Sequence, residues 1–206
     1  MAISFIGSNT AVQNSGTTIA VATHASTQIG DLLLAVVLAA SSAGVPTVTP
    51  ITSGWTLISG VSSSANSHHI FAKIADANGS SNQSFSSTQA FFEGTIAITS
   101  HRGALLGNTT AWGSSTTQPV APTVTTAKAN AVLVCAFGLN GLGSGVSGMT
   151  LRASRDNGTR DVAVFDQVIA SPGATGTRTY TGGDTGRGVS VALEDAATAN
   201  RIRMMV

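Results

Sequence analysis

Gly30-Asp-Leu-Leu-Leu-Ala-Val-Val-Leu-Ala-Ala40 is a continuous apolar run that opens with a turn-forming Gly-Asp pair. An apolar run of this length between turn residues is typical of a β-strand that is buried on both faces. A second run of the same kind, Asn130-Ala-Val-Leu-Val-Cys-Ala-Phe-Gly-Leu139, follows later in the chain. The two runs predict the central strands of two facing sheets.

The residues that follow the two runs repeat in the same order. Gly54-Trp-Thr-Leu57 and Gly148-Met-Thr-Leu151 lie 94 residues apart, and Phe71 and Phe165 have the same spacing. Short alternating segments separated by Gly, Asn, Asp and Ser turns surround these matches, and no segment keeps a 3.6-residue period. The pattern therefore predicts an all-β protein with an internal duplication.

The duplication divides the chain into residues 8–103 and 107–195, followed by a C-terminal tail at 196–206. Two halves of this size form either one sandwich or two very small domains. Both runs are apolar on both faces and therefore need apolar cover on both sides. This favours one β-sandwich that comprises residues 1–206. We expect its two similar halves to interleave in the manner of a jelly roll.

Composition excludes several classes of partner. Only 9% of the 206 residues are charged, against about 25% in ordinary soluble domains. The net charge of +1 supports neither nucleic acid nor an anionic membrane as a partner.

The run Leu32–Ala40 is too short to span a bilayer. The N-terminus lacks the basic region of a signal peptide. We therefore expect synthesis in the cytoplasm, outside any secretory route.

Residues that carry catalysis or bind metals are sparse. Four histidines occur, and no metal-binding spacing includes them. His68 and His69 are adjacent in a predicted strand, so their side chains point to opposite faces. Glu93 and Asp184 are the only pair of carboxylates from the two halves that merits a test as a glycosidase pair. We expect no enzyme activity, no catalytic residues and no metal site.

Two further motifs have structural interpretations. Gly143-Ser-Gly-Val-Ser-Gly148 fits the G-x-G-x-x-G pattern, but it precedes a predicted strand instead of a helix N-terminus. It is interpreted as a flexible loop, and no cofactor is expected. Cys135 lies inside the second apolar run, where a thiol packs as a small hydrophobic side chain.

The two tryptophans are the aromatic residues best suited to binding. Trp55 follows Gly54 at the head of a strand and is expected to close the end of the core. Trp112 lies in the polar segment 109–117, which makes it the better candidate for an exposed contact with a sugar or a protein.

The combination of a buried Gly-Asp-Leu-Leu-Leu-Ala strand, a Pro-containing loop and Gly54-Trp-Thr-Leu57 resembles β-sandwich domains of tailed-phage virion proteins. The resemblance extends over residues 8–194 and is weaker in the second half. It implies a non-enzymatic virion structural protein. The first hypothesis is a capsid decoration, or cement, protein on the head surface, bound to the major capsid protein and to itself as a homotrimer. The alternative is a tail or fibre adhesin that binds a bacterial surface glycan through Trp112 and loop residues.

The two ends of the chain are the candidate contact arms of such a protein. Ile3 and Phe5 represent the N-terminal arm, and Arg201 and Arg203 represent the C-terminal tail. The alternative interpretation of these ends is an edge strand and a frayed terminus.

Overall fold

The computed structural model describes residues 2–63, 65–114, 116–182 and 185–196, which form antiparallel β-structure throughout. The first half holds eight strands: β1 (Ser4–Gln13), β2 (Thr18–Ala22), β3 (Leu32–Ala40), β4 (Val48–Pro50), β5 (Thr56–Ser63), β6 (Asn66–Ile74), β7 (Asn82–Ser87) and β8 (Glu93–Arg102). The second half holds ten: β9 (Ala104–Thr109), β10 (Val120–Ala121), β11 (Thr125–Thr126), β12 (Ala131–Leu139), β13 (Gly145–Val146), β14 (Thr150–Arg155), β15 (Asp161–Ile169), β16 (Gly173–Ala174), β17 (Arg178–Thr181) and β18 (Gly186–Asp195). The all-β class is confirmed. No helix long and apolar enough to cross a bilayer occurs in the described part of the chain.

The duplication is visible in the strand order of the sheets. The first half builds a large sheet in the order β1-β8-β3-β6-β5, and the second half builds β9-β18-β12-β15-β14. Each half adds a three-stranded sheet, β2-β7-β4 in the first and β10-β17-β13 in the second. The second half also contains the pair β11-β16. The two large sheets therefore have the same topology, with β3 and β12 at equivalent places.

The two halves also share an irregularity in the edge strand of the large sheet. The register between β5 and β6 shifts at Leu57, and the register between β14 and β15 shifts at Leu151. Gly54 and Gly148, three residues before these bulges, both adopt positive φ values, of 88° and 75°. Such a backbone conformation favours glycine, so the matching glycines have a common structural cause.

Three apolar clusters show how the layers are stacked. One cluster lies between the two large sheets and takes residues from both halves, such as Leu34 and Val36 of β3 and Val134 of β12. A second cluster lies between the large and small sheets of the first half, and a third lies between those of the second half. The structure is therefore a sandwich in which the two large sheets face each other and the small sheets cover their outer faces.

The relation between the halves differs from the expected interleaving. Among the described residues, each sheet takes its strands from one half alone. The halves meet through sheet faces because β3 and β12 are buried on both sides and each needs apolar cover from the opposite sheet. All nine residues of each strand are buried, which confirms that the two runs are the central strands of facing sheets. Cys135 lies within β12 and is completely buried, as expected.

Candidate functional site

Ile3 and Phe5 lie at the edge of the first large sheet. Ile3 packs against the core shared by the two halves, and Phe5 belongs to β1. The Phe5 ring meets the ring of His101 edge to face at 5.7 Å, and the guanidinium of Arg152 lies 4.6 Å from its centroid. Both side chains are half-buried in contacts within the chain. Phe5 belongs to the edge strand β1, and Ile3 directly precedes that strand. Their role as a contact arm stays a prediction.

Trp112 is buried, contrary to the expectation that it is an exposed contact residue. Its side chain is 7% exposed and belongs to the shared core, where its ring lies 5.4 Å from that of His68. The opposite half supplies His68, so the polar neighbours of Trp112 in sequence gave no indication of its burial. Trp55 is buried as expected and donates a hydrogen bond from Nε1 to Gln83 Oε1 at 3.0 Å.

Several predicted residues lie outside the described residues. Arg201 and Arg203 of the C-terminal tail belong to this group, as does Asp184 of the carboxylate pair. The other member, Glu93, accepts a hydrogen bond from the hydroxyl of Thr159 in the second half.

The two adjacent histidines face opposite sides of β6, as predicted. His68 faces the other half and Trp112, whereas His69 lies on the outer face and stacks on Phe71 with a centroid distance of 5.9 Å. Desolvation lowers the pKa of His69 to about 4, so its ring is neutral at pH 7. No group of three metal-ligating side chains occurs among the residues that the structure describes.

A cleft of about 180 Å³ opens where the two halves meet at one end of the shared core. We call it the arginine cleft, and its polar lining consists of Ser63, Asn66, His68, Asn140, Arg160, Thr185 and Arg187. The His68 ring lies directly over Gly138, where a Cβ atom would come within 2.2 Å of His68 Cδ2. The absence of a side chain at Gly138 therefore lets the two sheets approach each other here.

One donor of the arginine cleft links the two halves, and the others bond within the second half. Arg160 donates to the side-chain oxygen of Asn66 in the first half and to that of Asn140 in its own half. Arg187 donates from Nη1 to the carbonyl oxygen of Gly113 at 2.9 Å. Burial and the two nearby guanidinium groups lower the pKa of His68 to about 3. With so low a pKa, the His68 ring is a weak base, and general base catalysis works best when the pKa of the base lies near the operating pH.

A second cavity, of about 240 Å³, lies on the outer face of the second half. We call it the ring pocket, and it is lined by Leu142, Gly143, Ser144, Gly145, Val146, Met149, Leu151, Ser154, Ala163, Phe165 and Tyr180. None of these side chains is charged, and two are aromatic. The accessible part of this lining is more polar than apolar, so the pocket is less apolar than the usual binding sites for small molecules.

The glycine-rich motif forms one wall of the ring pocket. Gly143 N donates to the hydroxyl of Tyr180 at 2.7 Å, and Ser144 N donates to the carbonyl oxygen of Thr181 at 2.8 Å. Thr181 returns a hydrogen bond from Oγ1 to the carbonyl oxygen of Gly145 at 3.0 Å. The motif precedes a strand, as predicted, and these bonds hold it as a preformed wall.

The duplication explains why the ring pocket is open in the second half. In the first half, His69 pairs with Gly60; in the second, Ala163 pairs with Ser154. The His69 ring fills the space over Gly60, where a Cβ atom would come within 2.9 Å of His69 Cδ2. Ala163 is too small to fill the same space in the second half.

The exchange of Ala163 for His69 is visible in the sequence, since 69 and 163 have the same spacing of 94 as the matched phenylalanines. An alignment of the halves that considers only identical residues misses this exchange, because the cavity arises where the two copies differ. Arg160 and Arg187 were overlooked for another reason. They lie far apart in sequence, and only the contact between the halves brings them together.

Comparison with known proteins identifies no relative. No protein-family model, curated protein or solved structure matches the chain.

Proposed function

We propose that the chain is a non-enzymatic structural protein of a tailed-phage particle, a decoration protein that binds the major capsid protein on the head surface. One observation carries the proposal: large apolar side chains are exposed at the same positions of both halves. Support also comes from the resemblance of the Gly30–Leu34 and Gly54–Leu57 segments to virion β-sandwich domains.

The repeated apolar positions lie on the large sheets. Leu57 and Leu151, at the two equivalent bulges, are 50% and 52% exposed. Ile74 and Val168, at the ends of the equivalent strands β6 and β15, are 49% and 62% exposed. Single exposed apolar residues are normal on protein surfaces. Their recurrence in two copies that differ at most other positions indicates that both copies use these side chains for contact.

The energetics favour contact with another protein. Complete burial of a fully exposed leucine contributes about 1.5–3 kcal/mol. Leu57 and Leu151 are already half covered, so covering the rest contributes about half of that for each. A surface of hydroxyls and amides with few charges also has a lower desolvation cost than a charged surface. A protein that is present in many copies on a shell gains stability through contacts of this kind.

The adhesin alternative loses its proposed anchor in this structure. It depended on an exposed Trp112, and that side chain is 7% exposed in the shared core. Trp55 is equally inaccessible at 8%. Neither tryptophan offers a free ring face to a sugar.

The test is binding of the purified protein to phage heads that lack it. Replacing Leu57 and Leu151 by serine should reduce binding at least tenfold, since each leucine would lose its buried contact area. Ile51→Ser is the matched control because Ile51 is 57% exposed but its position is not repeated in the other half. Equal binding by the Leu57→Ser/Leu151→Ser variant and the wild type would contradict the proposal.

The homotrimer is a further part of the proposal. A trimer suits the three-fold positions of an icosahedral shell. Sedimentation equilibrium of the free protein measures the oligomeric state directly.

A further inference from the structure

We propose that the ring pocket binds one neutral, planar aromatic ring of the size of an imidazole or an indole. The ligand is either a free heteroaromatic molecule or the ring of a side chain on another polypeptide. This proposal does not rest on the virion function, although Leu151 takes part in both.

The first half shows what the pocket is shaped to hold. There the His69 ring fills the space bordered by Gly60, Leu57 and Phe71. The equivalent residues Ser154, Leu151 and Phe165 line the ring pocket, and Ala163 leaves open most of the space that the imidazole occupies. Ser154 stands where the first half has Gly60, so its Cβ and hydroxyl narrow that space on one side. The ring pocket is therefore an open variant of the site that holds His69, with a somewhat different shape.

The size and the walls of the pocket fit this ligand. An engineered apolar cavity of about 150 Å³ is large enough to bind benzene. The ring pocket, with about 240 Å³, exceeds that volume. Phe165 offers an aromatic surface for stacking or edge contacts. Phe137 takes the place of Val37 on the neighbouring strand, but it does not line the pocket.

The electrostatics of the site select a neutral ring. None of the lining side chains carries a charge, so a charged ligand would lose its hydration without compensation. His69 in the first half is itself neutral at pH 7, since burial lowers its pKa to about 4. Ser154 supplies a hydroxyl at the wall that can bond a ring nitrogen.

The experiment is an NMR titration that follows the methyl groups of Met149, Leu151 and Leu57. Indole should shift the Met149 and Leu151 methyls saturably and leave Leu57 unaffected. Imidazole should do the same at pH 8 and lose at least tenfold in affinity at pH 5, where it is protonated. Indole binding at pH 5 is the control for the integrity of the pocket.

The comparison of the two halves suggests three substitutions, at positions 163 and 69, that test the proposal. Ala163→His should reduce indole affinity at least tenfold, whereas Ala163→Ser, which leaves the pocket open, should stay within twofold of the wild type. His69→Ala should open a second site that is detected through Leu57. If His69→Ala fails to fold, the two Ala163 variants decide the question.

The source of the ring is distinguished by comparing indole with the tripeptide Gly-Trp-Gly. Binding of indole alone assigns the pocket to a small molecule, and binding of the tripeptide assigns it to a side chain of a partner. Absence of a saturable shift at Met149 and Leu151 with either probe overturns the proposal. Equal indole affinity of Ala163→His and the wild type overturns it as well.

Discussion

Gly138→Ala is expected to lower the free energy of unfolding by about 2 kcal/mol, although it adds only one methyl group. The new Cβ atom would lie 2.2 Å from His68 Cδ2, 2.8 Å from His68 Nε2 and 2.8 Å from Leu38 Cδ2. All three atoms belong to the opposite half. The substitution therefore forces the two large sheets apart at the arginine cleft.

The magnitude follows from two opposing effects. Overpacking of a well-packed core costs about 1–3 kcal/mol, and three close approaches from one methyl group place this case at the upper end of that range. Replacing a strand glycine by alanine recovers about 0.5–1 kcal/mol, because glycine loses more backbone freedom on folding. The difference is about 2 kcal/mol.

The assay is equilibrium unfolding in urea of the wild type, Gly138→Ala, His68→Ala and the double variant. Removing the His68 ring leaves only the contact with Leu38, so Gly138→Ala should then be nearly neutral. The expected coupling energy is about 2 kcal/mol. Gly7→Ala is the matched control because its Cβ would approach His24 Cγ within 2.4 Å. Gly7 lies three strands from His68, so the two are separated by at least about 14 Å, and the effect of Gly7→Ala should be additive with that of His68→Ala.

The face-to-face packing of the halves would be refuted if Gly138→Ala had the same effect with and without the His68 ring. A coupling of Gly7→Ala to His68→Ala as large as that of Gly138→Ala would also refute it, since a general loosening of the fold would then explain both.

The remaining predictions concern titratable groups. Burial lowers the pKa values of His68, His69 and His101 to about 3, 4 and 4, below the value of 6.5 for an exposed histidine. The unfolded state therefore binds more protons between pH 6.5 and 4, and stability should fall as the pH decreases through this window. Burial raises the pKa of Asp161 to about 6 and also raises the pKa of Asp166, and both carboxyls act in the opposite direction, but they are two groups against three. Urea unfolding at pH 5 should show lower stability than at pH 7, and equal or greater stability at pH 5 would contradict the burial of the histidines. Burial also raises the pKa of the Cys135 thiol to about 11. Cys135 should therefore resist a thiol reagent at pH 8 until urea unfolds the chain, and rapid labelling of the native protein would contradict its place in the core.

The sequence predicted the central strands well because burial on both faces leaves a pattern that needs no knowledge of distant contacts. Strands β3 and β12 are apolar at every position except where Gly138 interrupts the second run. The matched turn glycines, Gly54 and Gly148, were also informative, since positive φ is a local requirement of the backbone. These two signals sufficed to predict an all-β sandwich with a duplication.

The arrangement of the halves could not be predicted in the same way. A strand that is apolar on both faces does not indicate which face meets the other half and which meets its own small sheet. Interleaving and face-to-face packing therefore have the same local pattern. The burial of Trp112 could not be predicted from the sequence for the same reason. It depends on His68 of the other half, and the neighbours of Trp112 in sequence are polar.

The ring pocket shows what an internal comparison can add. A cavity has no sequence pattern of its own, since it consists of the space that side chains leave. The difference between His69 and Ala163 becomes informative once the two halves are aligned on the equivalent bulges at Leu57 and Leu151. The proposed ligand of the pocket, an aromatic ring, is inferred from the His69 ring that occupies the first copy.

The most direct test of the proposed function is the copy number of the protein on separated heads and tails of purified particles, measured by quantitative mass spectrometry. A decoration protein should occur on DNA-filled heads in an amount comparable to that of the major capsid protein. A few copies per particle, found on tails and absent from heads, would contradict the account.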